Sequence, residues 1–146
     1  MAKRKPFKLT SKIIPARAAI YCRVASVDQL EPLRGLDDQE KAVRESIEYR
    51  NSLGFNTYKV VGVYQERGSG IDLNRPELQK MLSDIQANKI DAVFVTDMAR
   101  LTRSLRGLAD IWHILRSHQC RLVSAHESLD TSQWLFTTLE KELDHA

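Results

Sequence analysis

Apolar residues gather in four short runs along the chain: "AAIYCRV" at 18–24, "YKVVGVY" at 58–64, "DAVFVT" at 91–96 and "RLVSA" at 121–125. Each is rich in β-branched or aromatic residues and bounded by polar stretches, which predicts four strands. Helical spacing fills the gaps between them. Val43 and Ile47 share a face in the segment 37–54, which stops at Gly54. Leu78, Met81, Leu82 and Ile85 line one face after Pro76, a residue suited to a first helical turn. Leu108, Ile111 and Leu115 do the same after Ser104, a candidate N-cap. Asp130, Thr131 and Ser132 offer another cap before a last helix, "WLFTTLEKELDHA".

Strands alternating with helices predict a three-layer α/β domain: a mostly parallel central sheet flanked by helices. In such sheets ligands and catalytic groups collect where loops leave the carboxyl ends of the strands. Here those loops begin near residues 25, 66, 97 and 126.

Composition narrows the class. A chain of 146 residues is the size of one domain with a real core. Its apolar runs fall short of the roughly 18 to 20 residues of a membrane span, and its start lacks the apolar stretch of a secretory signal, so a cytoplasmic location is expected. Six of the 22 basic residues and none of the 19 acidic ones lie in the first 17 positions, leaving 16 against 19 in the remainder. Residues 1–17 are therefore read as a flexible basic arm, in which Lys3, Arg4, Lys5, Lys8 and Lys12 can add sequence-independent affinity for DNA phosphates, or else form a solvated tail. Cys22 and Cys120 read as buried, reduced thiols, and the four histidines fall in no metal-binding spacing. No metal and no organic cofactor are expected.

The strand-end loops hold the candidate chemistry. The first carries Arg23, Ala25, Ser26 and Gln29, and then Gln39. The second, "QERGSGIDLNRPEL", carries Glu66, Ser69, Gly70 and Arg75, and the third, "TDMARLTRS", carries Asp97, Arg100 and Arg103. Guanidinium groups brought to one sheet edge suit a phosphate, because each offers paired N–H donors and keeps its charge at neutral pH. A serine hydroxyl among them could attack phosphorus while the arginines neutralise charge, as a metal ion does elsewhere. The alternative is that each arginine pairs separately with a nearby carboxylate.

Four segments in order resemble the resolvase/invertase family of serine site-specific DNA recombinases. "YCRVASVDQ" is similar to the family's Tyr-x-Arg-Val-Ser-Thr-x-x-Gln, and "ERGSGIDLNRPEL" to its acidic residue, Ser-Gly and Arg-Pro before a helix. "MARLTRS" is similar to Leu-Asp-Arg-Leu-x-Arg-Ser, and "LDTS" to Ile-Asp-Thr. The resemblance covers residues 18 to 133. It implies that Arg23, Arg75, Arg100 and Arg103 contact phosphate, that Gln39 is an active-site glutamine and that Tyr21 stands beside the nucleophile. It also implies cleavage through a 5′-phosphoserine link and rejoining after rotation within a tetramer, with DNA, a second copy or another recombinase as partners. No high-energy cofactor is implied, because the ester holds the bond energy.

The chain departs from the pattern at two positions. Ala25 stands where the family has its nucleophilic serine, and Ala99 where it has an aspartate before the first arginine of the third loop. Three explanations stay open: Ser26 attacks after a one-residue shift of the loop, with Asp97 replacing the missing acid; the domain is degenerate and silent, an accessory or DNA-binding partner of recombinases; or Ala25 is engineered. Alternation along an extended stretch would turn Ser26 away from the face of Ala25. Residues 18–146 are expected to form the catalytic-type domain, with no helix-turn-helix or zinc ribbon and hence no separate DNA-binding domain.

Overall fold

A computed structural model describes residues 14–25, 32–54, 57–127 and 129–131. Among these residues nine elements follow in order: β1 (Ala16–Val24), α1 (Pro32–Ser52), β2 (Tyr58–Arg67), α2 (Pro76–Gln86), β3 (Ala92–Val95), α3 (Met98–Leu101), α4 (Leu105–Ser117), β4 (Arg121–Ser124) and β5 (Leu129–Asp130). The five strands form one sheet in the order β2-β1-β3-β4-β5. The first four run parallel and β5 pairs antiparallel to β4, so the expected three-layer α/β architecture is the one observed.

β1 is central, and its alternation divides the core. Ala18, Ile20, Cys22 and Val24 face α1, where they pack with Leu36, Val43, Ile47 and Phe94. Ala19 and Tyr21 face the opposite layer, with Leu78, Met81, Leu82 and Ile85 of α2 and Ile111, Trp112 and Leu115 of α4. The apolar faces read from helical spacing on α2 and α4 are thus the buried ones. Ser104 caps α4 by accepting from the Gly107 N–H at 3.1 Å. Cys22 and Cys120 are free and buried, and desolvation pushes both thiols up to about 12.

Four features differ from the sequence reading. β1 begins at Ala16, inside the stretch read as an arm, because Arg17 is fixed by a bidentate pair with Asp91 at 3.0 Å and by its own N–H to the same carboxylate at 2.8 Å. β2 runs on to Arg67, held in register with Val24, so the second loop starts later. The four-residue α3 and two-residue β5 are too short to show a period. Asp130 lies in a strand, β5, where its carboxylate accepts from Arg50 at 2.9 Å, and Thr131 Oγ1 accepts from Leu122 N–H at 3.1 Å. Ser132 and the expected last helix lie outside the described residues, as do Lys3, Arg4, Lys5, Lys8 and Lys12. Among the described residues no helix is long and apolar enough to cross a membrane.

Candidate functional site

In this strand order the chain leaves β1 toward β2 on one side and later fills in β3 on the other, which makes the gap between β1 and β3 the topological switch point. A cleft of about 540 Å³ opens there, walled by Arg23 and Val24 at the end of β1 and Ala25 just beyond it, Gln39 and Asp38 on α1, Thr96 and Asp97 after β3, and Arg100 and Arg103 around α3. Sequence reasoning missed Asp38, whose only signal was its place next to Gln39. Ser26 and Gln29 lie outside the described residues.

The arginines differ sharply in their surroundings. Arg23 is 2% exposed and carries no carboxylate partner among the described residues; Nε donates to Arg100 O (2.8 Å), Nη1 to Gly68 O (2.7 Å) and Nη2 to Ala99 O (2.6 Å). Burial, reinforced by the positive charge of Arg75, pulls its pKa below the ordinary value. Arg75 is also buried, with Nη1 on Arg100 O, Nη2 on Leu101 O and its Cζ over the Tyr21 ring, 5.6 Å from the centroid. It lies behind α3 and forms no part of the cleft wall.

These contacts close an account that a short helix leaves open. The last carbonyls of any helix lack partners of their own. In α3, Met98 O accepts from Thr102 N–H, Ala99 O and Arg100 O from Arg23, Arg100 O also from Arg75, and Leu101 O from Arg75. The two guanidinium ions thus cap the negative end of α3, where cations are favoured.

Arg100 and Arg103 face the opening. Arg100 is partly exposed, with Nε 3.3 Å from Asp97 Oδ2 and Nη1 3.2 Å from Arg23 O. Arg103 is exposed, and its backbone N–H is tied to Gly70 O at 2.8 Å. A methyl group at Gly70 would stand 2.8 Å from Arg103 Cγ and 2.9 Å from Arg23 Nη2, so only glycine lets these two side chains approach there. Among the described residues, separate pairing with a carboxylate applies to Arg100 alone of the four.

Gln39 clamps the backbone of residue 23: its Oε1 accepts from Arg23 N–H and its Nε2 donates to Arg23 O, both at 3.0 Å. Tyr21 is fully buried behind the cleft and donates to Glu66 at 2.5 Å. Desolvation first, then that hydrogen bond, raises its phenol far above the ordinary value, so it stays a donor. Glu66 also accepts from the N–H groups of Glu77 and Leu78 at 3.0 and 2.9 Å, capping α2 in place of Arg75, whose side chain makes no cap. Ala25 is exposed in the cleft wall, on the parity of Tyr21 and Arg23. A methyl group therefore stands just past the strand end, in the cleft wall shared with Arg23, Arg100 and Arg103.

The chain is 29% identical to the N-terminal catalytic domain of TP901-1 integrase, with a TM-score of 0.73 over 88% of this chain and 92% of that one. It is 28% identical to the C-terminal catalytic domain of ISC1926 TnpA, an IS607-like serine recombinase, with a TM-score of 0.64 over 75% of this chain and 68% of the other. Among curated proteins it is 36% identical over 72 residues (49% of this chain) to the Transposon Tn1546 resolvase of Enterococcus faecium. It is 30% identical over 124 residues (85% of this chain) to the "Probable DNA-invertase y4cG" of Sinorhizobium fredii. These matches span 37% and 34% of the relatives, about a third of their lengths. Residues 18–139 match the family described as "Resolvase, N terminal domain", and the chain belongs to that family.

Proposed function

We propose that this is a serine-recombinase-type domain for DNA recombination that holds a DNA phosphodiester in the cleft between β1 and β3, with an active site altered at the nucleophile. The observation that supports it most is the cleft itself, which lies at the switch point of a family member and presents Arg100 and Arg103 beside Ala25. Arg100 and Arg103 supply paired donors and fixed charge to the phosphate oxygens. Arg23 keeps two of its five N–H groups for the same task, since three are taken by carbonyls. Arg75 and Tyr21 position these groups from behind the cleft, and Gln39 from its wall. The catalytic-type domain begins with β1 at Ala16, and Lys3, Arg4, Lys5, Lys8 and Lys12 add sequence-independent attraction to DNA. The working assembly contains a second copy or a related recombinase, and no cofactor is required.

Ala25 favours binding without cleavage, because a methyl group cannot attack phosphorus. A second reading draws on the end of β1 at Val24, which frees the following residues from strict alternation and leaves Ser26 as an available hydroxyl. In that reading the Ser26 oxygen bonds to phosphorus and the P–O3′ bond breaks. The serine proton passes to a cleft carboxylate, Asp97 or Asp38, which hands it on to the departing 3′-oxygen.

Incubation with supercoiled DNA, followed by denaturing separation of covalent adducts, tests the proposal. The unmodified chain is expected to bind without an adduct, and Ala25→Ser to gain cleavage, limited by the missing acid at Ala99. An adduct from the unmodified chain that disappears in Ser26→Ala would establish the second reading instead. Failure of the chain to bind DNA or sulfate, with Arg100→Ala and Arg103→Ala no weaker, would remove the phosphate-site proposal.

A further inference from the structure

The loop after β4 contributes a residue that no motif singles out. Its backbone runs alongside the loop after β3, with Ala125 N–H on Val95 O at 3.1 Å and His126 N–H on Thr96 O at 2.7 Å. From there Glu127 reaches across: Oε1 accepts from the Met98 N–H at 3.0 Å and Oε2 from the hydroxyl of Ser124, a fully buried side chain. Met98 is the first residue of α3.

That contact solves a problem set by the cleft. Asp97 is the N-cap residue of α3, and aspartate is among the side chains that normally cap their own helix. Here it makes no cap bond; Oδ2 instead accepts from Thr96 Oγ1 at 3.1 Å and from Arg100 Nε at 3.3 Å. The cap comes from a carboxylate 29 residues further along the chain. Asp97 is thereby left in the cleft wall to orient Arg100, while the carbonyls at the other end of the same turn hold Arg23 and Arg75.

We infer that Glu127 is a positioning residue for the phosphate site: by capping α3 it fixes the turn that carries Arg100 and whose carbonyls set Arg23. It touches no substrate and acts through α3. The inference rests on the phosphate-site reading for its functional consequence, but its structural part can be measured without any ligand.

The experiment compares the full chain with Glu127→Ala and Glu127→Gln, following the side-chain Nε–H signals of Arg23 and Arg100 by ¹H–¹⁵N NMR, and then titrating with sulfate. Glutamine keeps an acceptor for Met98 N–H and an amide that can donate to the Ser124 oxygen. In Glu127→Ala, exchange of the Arg23 Nε–H with solvent should quicken by about tenfold, the factor to which the loss of one charge-assisted hydrogen bond corresponds. The Arg100 signal should shift as Asp97 turns back to cap α3, and Glu127→Gln should restore most of both effects. Sulfate affinity should weaken in the alanine variant and recover in the glutamine one. If the alanine variant does not fold, Ser124→Ala, which removes only the hydroxyl that steadies the carboxylate, should move the same signals in the same direction. Unchanged arginine signals in a folded Glu127→Ala, or no rescue by glutamine, would overturn the inference. If the signals respond while no form of the protein binds sulfate, the positioning role stands and the phosphate-site reading fails.

Discussion

Two arginines stand at opposite ends of β1, on the same side of the strand, and the chain treats them in opposite ways. At the amino end Arg17 meets Asp91 in a bidentate pair, both side chains more than two-fifths exposed. At the carboxyl end Arg23 is buried, has no carboxylate among the described residues and spends its donors on three backbone carbonyls. The Arg17 arrangement is the better ion pair by geometry, yet water screens it and the unfolded chain loses little by comparison. The Arg23 arrangement is poorer as electrostatics but closes the open end of α3 and ties three loops together. Partner type and burial, more than charge pairing, decide what an arginine is worth to the fold.

The sharpest way to break this comparison is Arg23→Ala. It strands the carbonyls of Gly68 and Ala99, leaves Arg100 O only the 3.4 Å bond from Arg75, and should cost about 3 kcal/mol or more, since each buried polar group left unpaired costs about 1–3 kcal/mol. Urea unfolding gives the measurement, and a loss below about 1 kcal/mol would mean that water replaces the guanidinium freely. Arg23→Lys should recover only part, because one ammonium cannot reach three carbonyls set by a planar fork.

A smaller effect is expected at Glu66, the acidic neighbour of the same edge. Glu66→Ala removes the cap of α2 and the acceptor of Tyr21 together, for about 2–3 kcal/mol. Glu66→Gln keeps an acceptor and should lose less. Equal losses in the two variants would show that the carboxylate charge near the start of α2, rather than the hydrogen bonds, carries the effect.

The same contrast explains what was legible in the chain. Sheet and helices were readable because burial leaves its mark: β1, buried on both faces, is a nearly continuous apolar run, and apolar residues recur at every third or fourth position along α2 and α4. The third loop was readable as a cluster of arginines at a strand end, since topology alone brings Arg23, Arg100 and Arg103 to one edge. What escaped was the division of labour among them. Nothing in the spacing of Arg75 distinguishes an arginine buried behind α3 from one facing the cleft, because that depends on which carbonyls a four-residue helix leaves open. Glu127 escaped for the same reason: it caps a helix from 29 residues away, and no local pattern records a partner at that distance. Arg17 was placed in the arm by its charge, whereas its mate Asp91 lies next to another strand.

The amino end supplies the weakest test, and the one whose sign is most informative. Arg17's side-chain hydrogen bonds hold the Asp91 carboxyl below its ordinary value against the opposing effect of burial. A carboxyl whose folded pKa lies below the unfolded one stabilises the fold above the unfolded value, and that contribution is lost as the pH falls through the folded one. The melting temperature of Asp91→Asn should therefore lie slightly below that of the unmodified protein at neutral pH. The gap should narrow as the pH drops below about 4, the unfolded aspartate range, and close once Asp91 is protonated in the folded state too. High salt should narrow it at neutral pH as well, because the pair is exposed. Arg23→Ala should show neither trend, since its partners are carbonyls that do not titrate. A gap at Asp91 that persisted unchanged in acid would mean that asparagine's altered hydrogen bonding to the Arg17 N–H, and not the ion pair, makes the difference.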